Sequence, residues 1–181
     1  ELVCKKPFPS MPIYFWNDPD GKLYQKAYFS KYKGVWNHGD YISINRRGGV
    51  VIHGRSDSTL NPGGVRIGTS EIYKIVEKNE DILDSVAIGK VIDGDERIIL
   101  FVKVRTDLSE ELKSSIRENL KINVSPRHIP YKIIQVEDIP YTLNGKKVEV
   151  AIKKILNKEE VLNRESIANP ESLNFFKKIS I

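Results

Sequence analysis

Three loops in the sequence carry residue types and spacings suited to chemistry. His38-Gly39-Asp40 lies just ahead of a stretch that reads as a strand. A carboxylate at a strand edge accepts two hydrogen bonds from a vicinal diol such as a ribose, and the preceding glycine permits close backbone approach. Taken alone, the same residues read more readily as a plain Gly-Asp turn. The second loop runs from Gly54-Arg55-Ser56-Asp57 through Asn61-Pro62-Gly63-Gly64-Val65-Arg66 to Gly68. Backbone bared by glycine and flanked by guanidinium groups suits a phosphate or a narrow ligand channel; a long turn with incidental arginines is the alternative. The loop is neither a Walker A sequence, since Gly-Lys-Ser/Thr is missing, nor a GxGxxG fingerprint. The third is Pro140-Tyr141-Thr142-Leu143-Asn144-Gly145-Lys146-Lys147. A lysine at the tip of an Asn-Gly turn is held on a solvent-facing projection, from which its ammonium reaches an anionic centre on another surface. In isolation it is an exposed turn. Lys147 is expected to share the charge and nearly the exposure of Lys146.

The elements that position these loops read from apolar periodicity. Tyr41 to Ile44 and Val50 to His53 form two short strands about Arg46-Arg47-Gly48-Gly49. Ile72, Ile75 and Val76 recur at helical spacing, with Glu71 in the first turn and Thr69 or Ser70 as candidate caps. Ser85 to Ile92 and Ile98 to Val104 read as strands about the turn Asp93-Gly94-Asp95. Asp107 with Glu110 resembles a capping box ahead of the stripe Leu108, Leu112, Ile116 and Leu120. Tyr131 to Val136 is a further strand and Val148 to Leu156 a further helix, while Asn157 onward reads as a polar tail with weak apolar periodicity, ending Leu173-Asn174-Phe175-Phe176. That order implies an α+β domain built on one small sheet. The first forty residues differ: aromatics crowd among turn formers, as expected of an edge that packs onto a surface outside this chain.

Composition narrows the classes. In 181 residues, 40% are apolar and 29% charged, an ordinary folded composition. The longest apolar runs fall well short of the ~20 residues of a membrane helix, so no membrane span is expected. The sequence opens Glu1-Leu2-Val3-Cys4, without a signal-peptide pattern, which suggests a piece of something longer. A single cysteine excludes an internal disulfide framework and fits a reducing, cytoplasmic setting. His38, His53 and His128 lie too far apart for a local zinc motif, and no metal ligand set is expected. The net charge of +5 arises from basic doublets mixed with acids, which reads as a solvated surface. A nucleic-acid module would want aromatics on its sheet face with basic neighbours, and the two central strands contain only Phe101. Neither nucleic acid nor membrane is an expected partner.

Together, the three loops in their order and spacing resemble the C-terminal part of the AMP-forming acyl-CoA synthetases, the adenylate-forming superfamily. Within it, Asn61-Pro62-Gly63-Gly64-Val65-Arg66 and Pro140 to Glu149 are similar to the branch that activates acetoacetate. So are the opening Phe15-Trp16-Asn17-Asp18 and the tail Ala168-Asn169-Pro170-Glu171-Ser172-Leu173. The resemblance implies a two-step ligation: acid and ATP give an acyl-adenylate and pyrophosphate, then the CoA thiol gives a thioester and AMP. It implies ATP with Mg2+ and CoA as reaction partners, together with a short-chain keto acid, another short-chain or 3-oxo acid being the alternative.

By the same resemblance Asp40 binds the ribose hydroxyls, Arg55 also contacts the ribose, and Arg66 lies near the nucleotide phosphate. Asp57 is the hinge about which a small domain turns between steps. Gly64 lines the tunnel for the pantetheine arm, and Arg117 lies near the CoA phosphate. Lys146 reaches the carboxylate and α-phosphate during adenylation. The implied architecture is α+β, a small C-terminal domain with a central sheet of about three strands flanked by helices. Residues 1–56 are then the terminal strip of a large N-terminal domain, 57–156 the small lid domain and 157–181 a C-terminal extension. A phosphate loop and an acyl pocket are missing from the sequence, so ATP with Mg2+ is expected mainly on the N-terminal domain, without which this piece is catalytically silent.

Overall fold

The computed structural model describes residues 1–161 and 163–181. Its chain divides into two compact units, Glu1–Asp57 and Ser58–Ile181. In the first, β1 (Val3–Cys4) precedes α1 (Lys22–Tyr28), then β2 (Trp36–Asn37), β3 (Asp40–Ile44) and β4 (Val50–Arg55). β1 pairs with β2 and β3 with β4, both antiparallel. The Asn45 carboxamide accepts the amides of Arg47 and Gly49, each at 2.9 Å, which closes the β3–β4 turn. The Asp18 carboxylate takes the amides of Leu23 and Tyr24 at 3.0 and 2.9 Å and so starts α1.

Several aromatics of this unit pack on one another. Trp36 is buried, stacked on Tyr28 at 3.7 Å and met edge-on by Phe8 and Phe29. Ring edges against ring faces give a small aromatic cluster around Trp36. Ile13, Tyr14 and Trp16 remain exposed.

In the second unit, α2 (Thr69–Val76) leads into β5 (Ile82–Ile92) and β6 (Asp95–Val104). Then come α3 (Glu110–Asn123), β7 (Lys132–Gln135), α4 (Glu149–Leu156) and the short α5 (Leu173–Lys177). The sheet order is β5-β6-β7, with β5 antiparallel and β7 parallel to β6. Alternation along β6 divides the core. Ile98, Leu100 and Val102 join Ile72, Val76, Ile116 and Leu120 from α2 and α3. Ile99 and Phe101 face the other way, onto Ile152 and Leu156 of α4 and Phe176 of α5. A strand covered on both faces must be apolar at consecutive positions, which is why β6 stands out in the sequence. The fold is α+β, with one three-stranded sheet between helices.

Several local expectations change. The α2 cap is Gly68, whose amide is taken by the Glu71 carboxylate at 3.3 Å, in place of Thr69 or Ser70. Helix α3 is capped by Ser109, which accepts the Leu112 amide at 3.1 Å, two positions later than an Asp107 box requires. The segment read as a polar tail also proves to be core-forming. Ile167, Leu173 and Phe176 are buried, and Phe176 meets Phe101 edge-on at 5.0 Å.

Candidate functional site

In the first unit the β3–β4 register places Asp40 opposite Arg55. One Asp40 oxygen lies 2.6 Å from His38 Nδ1, and the other 3.6 Å from Arg55 Nη1. Arg55 Nη1 also donates to the His38 carbonyl at 3.2 Å, and its Nε lies 3.5 Å from Asp57 Oδ1. Asp40, Arg55 and Asp57 are thus gathered at one end of the hairpin. Gly39 makes this possible: its φ is +84°, and a Cβ there would sit 2.7 Å from Arg55 Nη2. The close approach that the glycine allows is that of the guanidinium. Arg55 and Asp57 keep about half of their side-chain surface exposed, while Asp40 keeps 16%. A sheltered carboxylate beside a reachable guanidinium can take a diol with hydrogen bonds of both senses. His38 is a member that sequence reasoning quoted without assigning; its two-residue spacing from Asp40 was the available signal.

In the second unit the glycine-bearing loop is pinched shut by reciprocal backbone hydrogen bonds between Leu60 and Ile67, at 2.9 and 2.8 Å. Both side chains are fully buried. The Asn61 and Gly63 amides donate to Glu96 and Asp95 at 2.6 and 3.0 Å, which ties the loop to the start of β6. Val65 and Arg66 are thereby held outward at the surface. Gly64 has φ +79° and open space where a side chain would go. Beside the loop opens a cleft of about 270 Å³, lined among others by Gly63, Arg97, Arg127 and Tyr131. These arginines were not singled out from sequence. Arg117 lies half-buried on α3, away from the other site residues in sequence and on a separate element.

The Asn-Gly turn is a closed hairpin. The Thr142 amide reaches the Lys146 carbonyl at 2.8 Å, the Gly145 amide reaches the Thr142 carbonyl at 2.8 Å, and Tyr141 bridges Lys147. The C-terminal segment adds a third strand-like line, with Leu143 donating to Ser166 and Ala168 to Tyr141 at 2.9 and 2.8 Å. Lys146 is exposed on this braced turn, and among the described residues no carboxylate lies within ion-pair distance of it. Lys147 is different, and the expectation of equal exposure fails. Its side chain is 16% exposed and its ammonium is paired with Glu77 and with Asp84, the latter at 2.8 Å. Successive residues of an extended chain point to opposite sides, so the two lysines have opposite surroundings. Nearby, burial and the Asp84 carboxylate push the Tyr141 phenol far above its ordinary range.

Comparison with solved structures defines the class: the fold is that of the C-terminal part of an adenylate-forming acyl-CoA synthetase. Acetoacetyl-CoA synthetase from Streptomyces lividans superposes with a TM-score of 0.89 at 44% identity, covering 97% of this chain and 27% of that one. No protein-family model matches the chain. Among curated proteins, acetoacetyl-CoA synthetase from Xenopus tropicalis is 51% identical over 183 residues, and acetoacetyl-coenzyme A synthetase from Rhizobium meliloti 49% identical over 178. The chain is a strong homologue of the C-terminal region of the acetoacetyl-CoA synthetases. It spans about a quarter (27%) of the length of the curated relatives it matches.

Proposed function

We propose that the chain is the C-terminal part of an ATP-dependent acetoacetate–CoA ligase and that it supplies the mobile half of the active site. In the first step a carboxylate oxygen of the acid attacks the α-phosphorus of ATP, and the bond to pyrophosphate breaks. In the second the CoA sulfur attacks the acyl carbon, the bond to AMP breaks, and the thiol proton leaves to solvent. Asp40 and Arg55 hold the ribose, Arg66 sits by the nucleotide phosphate, and Asp57 is the pivot between residues 1–56, which stay with the large N-terminal domain, and the lid 57–156. Ser166 and Ala168, in the C-terminal extension 157–181, brace the lysine turn of the lid. Gly64 leaves room for the pantetheine arm, and Arg117 meets the CoA phosphate.

Lys146 carries the chemistry of the first step. Carboxylate attack on phosphate brings two anions together, and charge accumulates on the α-phosphoryl oxygens. An ammonium about 4 Å away offsets on the order of 4 kcal/mol of that cost in a half-dry site. The observation that carries the reading is the exposed Lys146 on a braced turn, with no carboxylate in ion-pair reach among the described residues, in a chain half identical to acetoacetyl-CoA synthetases. Mg2+ would enter with ATP. Among the described residues no group of three or more His, Cys, Asp or Glu could hold a metal ion. Among them, too, no helix is long and apolar enough to cross a membrane. The water-soluble partners and the single cysteine suit a cytoplasmic enzyme.

The test is pyrophosphate release by the full-length ligase with acetoacetate against acetate, butyrate and 3-hydroxybutyrate. Acetoacetate should be turned over best. Lys146→Ala should slow adenylation roughly 10²–10³-fold while CoA attack on preformed adenylate proceeds. Equal turnover of all four acids would refute the acid assignment, and normal adenylation by Lys146→Ala would refute the lysine.

A further inference from the structure

Lys147 adjoins Lys146, and its ammonium has as many partners as it has protons. An ammonium offers three donors. Here Asp84 Oδ1, Glu77 Oε1 and the Ser85 carbonyl receive them. Its nitrogen also stands 4.2 Å above the centre of the Tyr73 ring, within cation–π range. Each carboxylate is itself held. Asp84 takes the Tyr141 hydroxyl at 2.7 Å, and Glu77 takes the Ser85 hydroxyl at 2.7 Å. The Tyr73 hydroxyl donates to Glu149 at 3.0 Å and receives the Ala87 amide at 3.1 Å. The nest is built by the end of α2, the start of β5 and the first turn of α4.

Isolated surface ion pairs contribute little. This one differs in being sheltered, multiply hydrogen-bonded and placed one residue from a functional group. Consecutive Cα atoms are about 3.8 Å apart, so fixing Lys147 fixes the base of the Lys146 side chain. A lysine stem is long and flexible, and its tip is only as well placed as its Cα.

We infer that Lys147 is a positioning residue for the ligase reaction, stapling the Asn144-Gly145 turn to α2 and β5 so that Lys146 enters the adenylation site in register. The inference rests on the reading of Lys146 as the catalytic lysine. It assigns the adjacent lysines separate roles, one touching the reacting groups and the other acting through it.

The test uses full-length ligase and follows two half-reactions, pyrophosphate release and thioester formation from preformed acyl-adenylate. Lys147→Met keeps the stem and removes the charge. It should lower the adenylation rate about 10- to 100-fold, as expected for loss of register near 1 Å. The KM for ATP and the thioester step should stay within about twofold. Tyr141→Phe, which removes one support of Asp84, should give a smaller loss of the same kind and carries the test if Lys147→Met does not fold. Lys103→Met breaks the pair between Lys103 of β6 and Asp138 and should leave both half-reactions unchanged. Equal loss of both half-reactions in Lys147→Met and Tyr141→Phe would reduce Lys147 to a purely structural tie and overturn the inference. So would normal adenylation in both. Lys146→Ala, run alongside, separates the two claims. If it adenylates normally, the catalytic reading falls and takes this inference with it. If it is slow while Lys147→Met is normal, the inference falls alone.

Discussion

Replacing Gly39 by alanine should weaken ATP binding through a displacement that the structure specifies. At φ +84° an alanine carries a backbone cost of about 1–2 kcal/mol. Its Cβ would also stand 2.7 Å from Arg55 Nη2 and 3.0 Å from Cζ, against an ordinary contact of about 3.5–4.0 Å. The guanidinium is the free end of a long side chain, so it yields, moving about 1 Å. In doing so it leaves the His38 carbonyl, now 3.2 Å away, and opens the 3.6 Å approach to Asp40. If Arg55 contacts the ribose as proposed, misplacing that charged hydrogen bond costs about 1.5–3 kcal/mol, which converts to a rise in KM for ATP of roughly 10- to 150-fold. Gly48 is the matched control, with φ +80° and nothing within 4 Å of the place a methyl group would take. Gly48→Ala should carry the same backbone cost and leave the KM alone. Measuring ATP–pyrophosphate exchange and thermal unfolding for both variants separates strain from displacement. Equal KM values for the two would refute the role given to Arg55.

Phe176→Ala should destabilise the protein by about 3–5 kcal/mol, because its ring is fully buried against Phe101; a loss below about 1 kcal/mol in urea unfolding would contradict that. Burial raises the Asp138 carboxyl, but hydrogen bonds from Lys103 and Asn169 outweigh it and hold the group below its ordinary 3.8. A depressed carboxylate contributes stability above its unfolded value and loses it as the pH falls through the folded one. The stability gap between wild type and Asp138→Asn should therefore be constant at neutral pH and close below 3.8; a gap that widens in acid would contradict the sign. Gly64→Leu should block thioester formation and spare adenylation, and equal losses in both would place the fault in the loop's backbone.

Much of the sheet was legible because its signal is local. β6 reads as apolar at every position from Ile98 to Val102, which burial on both faces demands. The hairpin and the three charged loops were legible from glycines and alternation. Helix α1 was not, because it has seven residues and its start depends on Asp18, four or more positions upstream. Phe175-Phe176 was visible in the sequence, but its partner Phe101 lies far away along the chain, and no periodicity links them. The difference between Lys146 and Lys147 was the least legible feature of the site. Both follow the same glycine, and the acceptors that claim Lys147 lie 62 and 70 residues away in sequence.

The opposite surroundings of the two lysines make the turn intolerant of length changes. Side chains alternate along an extended strand, so adding or deleting one residue between Thr142 and Gly145 would exchange the neighbours' places. The cation now facing outward would be drawn toward Asp84 and Glu77, and the one that holds the turn would swing into water. Most surface loops absorb insertions readily; this one is expected to resist them, because its two lysines have different surroundings. If the place of Lys146 on the turn matters as proposed, sequences that keep both lysines but shift them by one position should activate the acid more slowly.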